Sequence, residues 1–443
     1  LPILASTLLT NSKVRLTNIP DLSDIFSMIE LLKSLNVKIY KKNNYYTFKS
    51  DTPKSLIASY ELVRKMRASF LIIGPLLSRY GYAKVSLPGG CAIGTRPVDL
   101  HLDGLKKMGA SFSIKNGYVH GSVKGKLKGT SINFKKKSVG ATENLIMAAT
   151  LAEGKTIIHN AAQEPEIDDL CNFLIQIGAK IKGHGTDLVT IDGVNELNGG
   201  EFEVMPDRIE AGTFALSVLG CSGDLILTGV NNQIYKHLKD IFKPIKFLKL
   251  KIIDDKSFSV VKVKDGELNL KVTTKEYPGF PTDLQAQLTA ALLKIQGLNE
   301  INEKIFENRF MHVGELRRMG AKIKKKGSKV EITGVKEIYG AELMATDLRA
   351  SSCLIIAGLM AKGKTITIRV PEQTFDQIKG VCSDLGEAYN FNQFVNQSLS
   401  AMLEVIHHDG EQVPIPRFAM MARLMKNYEE SNFRENGKAG EVD

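Results

Sequence analysis

The stretch PGGCAIGTRPVDLH, from Pro88 to His101, sets one thiol among three glycines, with an arginine five residues after it. A thiol becomes a nucleophile or a useful proton donor where nearby positive charge and access to solvent lower its proton affinity. Arg96 in the loop and Arg67 upstream are the cations placed to supply that charge. Gly89, Gly90 and Gly94 allow backbone angles and motions that other residues resist, as loops that close over a substrate require. The competing reading is a buried structural cysteine. That reading suits Cys171, Cys221 and Cys353, which sit within apolar helical runs or at their ends; Cys91 lies outside any such run.

A second set of reactive groups stands where apolar helices begin. Their first turns read Arg67-Ala68-Ser69, Gly140-Ala141-Thr142-Glu143, Asp207-Arg208-Ile209-Glu210, Thr282-Asp283-Leu284 and Asp347-Leu348-Arg349. Asp, Ser and Thr there act as helix caps, and capping alone is one reading of each. Arginine is harder to explain that way, because the helix dipole disfavours a cation at that end. Several Arg and Asp gathered at parallel helix N-termini form a focused site for an anion.

These groups need elements to position them, and the sequence supplies a repeat. An apolar helix, a turn and a strand led by a polar residue recur at Lys13, Lys84, Lys155, Asp224, Asn299 and Lys364, spaced by 71, 71, 69, 75 and 65 residues. Interleaved with it is an amphipathic helix, a Gly-type stop and two strands joined by a tight turn, with stops aligned at Leu35, Met108, Ile177, Leu248 and Met319. Each copy therefore has one helix apolar all round, which must be buried, and one that covers the outside. The expected architecture is α/β: two domains of three βαβαββ-type units each, with sheets facing outward around buried parallel helices. The expected divisions are residues 1–206, 207–370 and an atypical segment 371–443.

Composition narrows the class. With 443 residues the chain holds two or three domains, and 43% hydrophobic with 24% charged residues is ordinary for a globular protein. No apolar run is long enough to span a membrane. Five scattered cysteines without a CxxC pair argue against a disulfide framework or a zinc site, and fit a reducing cytoplasm. The net charge of +11 is uneven, since residues 371–443 carry 6 Lys/Arg against 12 Asp/Glu. The lysine runs lack the aromatic interleaving that stacks bases, so nucleic acid is not an expected partner. A monomer without cofactor or metal is expected.

Several segments together resemble one family. SLPGGCAIGTRPVDLHL, YELVRKMRAS, KKSVGATENLIMAATLAEG, EPEIDDL, MPDRIEAGTF, PGFPTDLQAQ, IFENRFMHVGELRRMGA and ATDLRAS are similar, in order, to UDP-N-acetylglucosamine 1-carboxyvinyltransferases, the enolpyruvyl transferases of peptidoglycan synthesis. The resemblance runs from Leu1 to about Ile368 and implies two inside-out α/β barrels. It also implies transfer of the enolpyruvyl group of phosphoenolpyruvate to the 3′-hydroxyl of UDP-N-acetylglucosamine, with release of phosphate. It makes Cys91 the proton donor and Asp283 the general base. It gives Arg96 to phosphoenolpyruvate. To the sugar nucleotide it gives Arg67, the run Arg96, Pro97, Val98, Asp99 and Leu100, the run Lys136, Lys137, Ser138 and Val139, and Ile305. Glu164, Arg208, Arg309, Asp347 and Arg349 match the wider cleft lining. For Lys135 and Lys137, solvated charge is the alternative.

The ends depart from the family pattern. The family carries a Lys-Asn pair just before the segment that Leu1 opens, and an Arg after the last strand; both contacts to phosphoenolpyruvate are absent from this sequence, so impaired turnover is expected. Thr365 to Ile406 resembles a ribbon-helix-helix module, the preferred reading over a diverged sixth helix at Phe375 to Leu385. Two other functions stay open: a catalytically dead scaffold carrying a DNA- or partner-binding module, and 3-phosphoshikimate 1-carboxyvinyltransferase, which is not expected to carry this cysteine loop.

Overall fold

The computed structural model describes residues 1–64, 66–87, 98–345, 347–363 and the backbone of 368–369. Cys91, Arg96 and Pro97, Cys382, and the ribbon-helix-helix segment apart from the backbone of 368–369 lie outside the described residues. The chain forms two compact units. The first comprises Leu1–Pro206 with Thr274–Pro281 and Ile305–Asn308; the second comprises Asp207–Thr273, Thr282–Lys304 and Arg309 onward.

The first unit holds three four-stranded sheets built to one plan. In each, a leading strand pairs in parallel with a second strand, and the second pairs antiparallel with the last strand of a hairpin. The leading and second strands are Ile57–Ala58 with Tyr82–Ser86 in one sheet, and Ser131–Asn133 with Lys155–His159 in another. In the remaining sheet the leading strand, Gly200–Glu203, comes from the far end of the unit and pairs with Val14–Thr17. The hairpins alternate buried and outward residues, as a sheet with one wet face must. The hairpin joining Ala110–Lys115 to Tyr118–Val123 turns at Asn116-Gly117, both with positive φ (51° and 76°). That is the geometry of a type I′ turn, which matches strand twist.

Three amphipathic helices, Ser23–Ser34, Asp99–Lys107 and Pro165–Gln176, each present one apolar side, and Leu35, Met108 and Ile177 follow as their C-caps. The helix Val139–Ala149 is different: every residue from Ala141 to Ala149 is buried. It belongs to the core with Ile72, Ile73, Leu76 and Leu77 of the neighbouring helical segment. Close approach is possible because Gly74 lacks a side chain; a Cβ there would lie 2.6 Å from the Asn144 carbonyl oxygen. Gly74→Ala is expected to cost about 1–3 kcal/mol through overpacking, read as a lower urea midpoint.

The second unit repeats the scheme with a three-stranded, a four-stranded and a two-stranded sheet. Its inner helices are Arg208–Cys221, Gln285–Ala291 and Leu348–Met360, and its outer ones Asn232–Phe242 and His312–Arg318. One predicted stop is corrected here. Leu248 does not end a helix; it opens the strand Leu248–Asp254, and the helix has already ended at Lys243. Pro244 accounts for the end: Lys243 keeps helical angles, but proline has no N–H with which to continue the helix's hydrogen bonds.

Candidate active site

In the second unit, a 3₁₀ turn (Thr282–Leu284) leads into the buried helix Gln285–Ala291. Asp283 sits in that turn but does not cap the helix, for which no side-chain cap is formed. Its carboxylate turns to two arginines instead. Arg309 donates from Nη2 to Asp283 Oδ1 at 2.7 Å, and Arg349 donates from Nε to the same oxygen at 3.0 Å. Burial works to raise the Asp283 carboxyl, but Arg349 and Arg309 outweigh it, and the group is held well below the usual carboxylate range. The arginines are 26 and 66 residues from Asp283 along the chain, so only the fold unites them.

Arg349 is aimed by its helix. Asp347 caps Leu348–Met360, accepting from the N–H groups of Arg349 and Ala350 at 2.9 and 3.1 Å. Asp207 does the same for Arg208–Cys221, accepting from Ile209 at 2.8 Å and Glu210 at 3.0 Å, and Arg208 is buried at that helix start. Asp347 and Asp207 are therefore caps whatever else they do. Arg309 lies nearly enclosed, with its side chain 5% exposed. Ile305 belongs to the first unit.

In the first unit, Ser138 caps the core helix, accepting from Ala141 N–H at 3.3 Å. Lys136 and Val139 are exposed beside it, and Lys137 is half-buried. Val98 precedes the helix Asp99–Lys107, with Asp99 in the first turn, where the dipole favours an anion. Leu100 is half-buried. His101, one turn further in, is buried; its ring is pushed down to about 4 by burial and then by Arg67, so it is neutral. The Asn144 side-chain amide donates to His101 Nδ1 at 3.1 Å, which fits an uncharged ring. Glu164 precedes the helix Pro165–Gln176 and folds back to accept from Gln163 N–H at 3.0 Å.

The described cysteines are poor nucleophiles: burial pushes Cys221 up to about 11 and carries Cys171 and Cys353 higher. No group of three or more His, Cys, Asp or Glu is placed to hold a metal among the described residues. No helix there is long and apolar enough to cross a membrane.

Residues 1–379 match the family model of EPSP synthase, 3-phosphoshikimate 1-carboxyvinyltransferase. The chain is also 50% identical over 367 residues to UDP-N-acetylglucosamine 1-carboxyvinyltransferase 2 of Carboxydothermus hydrogenoformans, across 82% of this chain and 87% of that protein. The chain belongs to the UDP-N-acetylglucosamine 1-carboxyvinyltransferase family. A Pelagibacter ubique UDP-N-acetylglucosamine 1-carboxyvinyltransferase is likewise 50% identical, over 84% of this chain and 88% of its own length. The fold is that of the enolpyruvyl transferase NikO from Streptomyces tendae, whose crystal structure aligns with a TM-score of 0.74 at 20% identity, over 83% of this chain and 87% of that one. EPSP synthase from Acinetobacter baumannii aligns with a TM-score of 0.63 at 19% identity, over 83% and 88%.

Sequence reasoning missed two polar groups in this carboxyvinyltransferase chain, Thr282 as a hydrogen-bonding group and Glu303, which meet beside Asp283. The Thr282 hydroxyl donates to Glu303 Oε2 at 2.9 Å and accepts from Arg309 Nη1 at 3.3 Å. The available signal was a Glu directly after the strand Leu298–Asn302, which reads as solvated until the fold buries it to 3% exposure.

It also missed Glu143, in the core helix of the first unit. Burial pushes its carboxyl up to about 8, with Glu166 and Glu164 adding to the effect. The folded state then holds a proton that the unfolded chain loses above about pH 4.5, so stability falls as pH rises to about 8 and then levels. Glu143→Gln is expected to abolish that slope, gaining on the order of 3 kcal/mol at the alkaline end, measured as urea midpoints across the pH range.

Proposed function

We infer that this chain transfers the enolpyruvyl group of phosphoenolpyruvate to the 3′-hydroxyl of UDP-N-acetylglucosamine in peptidoglycan synthesis, in the cytoplasm and as a monomer. The observation that carries the reading is 50% identity to relatives of that name over most of the chain, with Asp283 seated between two arginines. The chemistry adds the sugar oxygen to C2 of phosphoenolpyruvate and a proton to its methylene carbon. The resulting ketal then loses phosphate together with a proton from the methyl group so formed, which restores the double bond. Cys91 delivers the first proton, and Asp283 takes the proton of the acceptor hydroxyl.

The two arginines give Asp283 a conditional basicity. Paired with both, it stays charged yet is a weak base. Phosphate and carboxylate oxygens of bound substrates compete for guanidinium N–H groups in forked geometry. Once they do, the carboxylate regains the proton affinity the reaction needs.

A phosphate-release assay tests the reading. Release that requires both UDP-N-acetylglucosamine and phosphoenolpyruvate supports it. Release with shikimate 3-phosphate as acceptor, or none with UDP-N-acetylglucosamine, overturns it. Alkylation of Cys91 by an epoxide phosphonate is expected to speed up when UDP-N-acetylglucosamine is present; a rate indifferent to the nucleotide counts for a scaffold without catalysis.

A further inference from the structure

The hydrogen bonds around Asp283 run one layer deeper than the arginines. A threonine hydroxyl has a single proton to donate and two lone pairs with which to accept. Glu303 takes the Thr282 proton at 2.9 Å, so the lone pairs of that oxygen face elsewhere, and Arg309 Nη1 meets one at 3.3 Å. Arg309 is thereby held at two points: Nη1 on Thr282 and Nη2 on Asp283, 2.7 Å away. A bidentate hold fixes the plane of a guanidinium as well as its position.

Glu303 is an expensive choice for this place. It is 3% exposed, and a buried carboxylate is tolerated only where hydrogen bonds meet its oxygens. Its side chain is not needed to finish the strand, because its own N–H is already bound by the Ser328 carbonyl at 2.8 Å. One oxygen of the carboxylate, Oε2, accepts from the Thr282 hydroxyl and so orients it.

We propose that Glu303 and Thr282 are positioning residues for enolpyruvyl transfer, forming a relay Glu303–Thr282–Arg309 that sets the direction from which Asp283 meets the acceptor hydroxyl. The proposal rests on Asp283 being the proton acceptor. Without Glu303 the Thr282 proton is free to turn toward Arg309, where it replaces an attraction with a repulsion and swings the guanidinium away from Asp283.

The test compares Glu303→Ala, Glu303→Gln, Thr282→Val and the double variant Glu303→Ala with Thr282→Val. Misplacement of a reacting group lowers kcat, so Glu303→Ala and Thr282→Val are each expected to lose about tenfold to a hundredfold. Glu303→Gln, whose amide oxygen still accepts from Thr282, is expected to stay within about threefold of the unsubstituted chain. The double variant should be no slower than the slower single one, as for groups acting in series. Independent losses that multiply would overturn the relay.

A second readout does not depend on turnover: ¹³C NMR titration of the Asp283 carboxyl without substrates. In the unsubstituted chain the group should stay charged down to about pH 3; in Glu303→Ala and in Thr282→Val protonation should begin above that value. An unchanged titration in both variants would overturn the proposal even if kcat fell. If the unsubstituted chain released no phosphate, the reaction assigned above would fall, while the titration would still decide the relay.

Discussion

Asp283→Asn is expected to lower turnover by about 10²- to 10⁴-fold, the usual loss when a positioned proton acceptor is removed. The amide keeps the shape of the side chain, and its oxygen still accepts from Arg309 and Arg349, which meet the carboxylate at 2.7 and 3.0 Å. Substrate binding should therefore change far less than kcat. The phosphate-release assay with both substrates separates the two, because a loss confined to KM would mean that Asp283 only holds substrate. A variant with unaltered kcat would remove Asp283 from the chemistry altogether.

Arg309→Met is expected to lose both stability and turnover. Arg309 is nearly enclosed, and its removal leaves Asp283 with Arg349 as its remaining cation among the described residues. Breaking a fully buried pair usually costs about 3–5 kcal/mol; about 2 kcal/mol is expected here because the Asp283 side chain is 37% exposed and water screens it. The pH dependence gives a sharper check. Asp283 is held below its unfolded value, so the folded state binds fewer protons. Its contribution is complete above the ordinary Asp value of about 4 and disappears as pH falls through the acid range. Arg309→Met should flatten that acid slope in urea unfolding, while Lys326→Met, which removes an exposed ion pair with Glu331, should leave it as it is.

Period and punctuation made most of the architecture readable. The run from Ala141 to Leu151 admits no wet face, so burial was forced, and Ala141 to Ala149 are indeed buried throughout. Asn116-Gly117 announces its hairpin because few other pairs tolerate two positive φ angles. The stop at Leu248 failed because the repeat spacing does not register Pro244, which lacks the N–H to extend the helix past Lys243. Asp283 and Arg349 stood out as charged groups at helix starts, and Arg309 through family resemblance, while nothing local ties residue 283 to residues 309 and 349. Thr282 and Glu303 escaped for a related reason. A threonine in a first turn is explained as a cap, and a glutamate at a strand end as a solvated charge. Only their meeting across 21 residues gives either another role. Glu143 was noticed only as a first-turn residue, because burial on every side of a helix is a property of its neighbours.

The strand Gly200–Glu203 has a consequence for how the protein is made. It completes the sheet that Val14–Thr17 begins, nearly the whole length of the unit later, and Arg15 is ion-paired with Glu201 across that join. A chain emerging from the ribosome can form the second and third sheets from strands close in sequence. The first must wait with one edge open until residue 203 is clear of the exit tunnel. Pairings this distant fold slowly, and an open strand edge invites mispairing in the meantime. Of the three sheets in the first unit, the one that holds Val14–Thr17 is therefore the last to be completed.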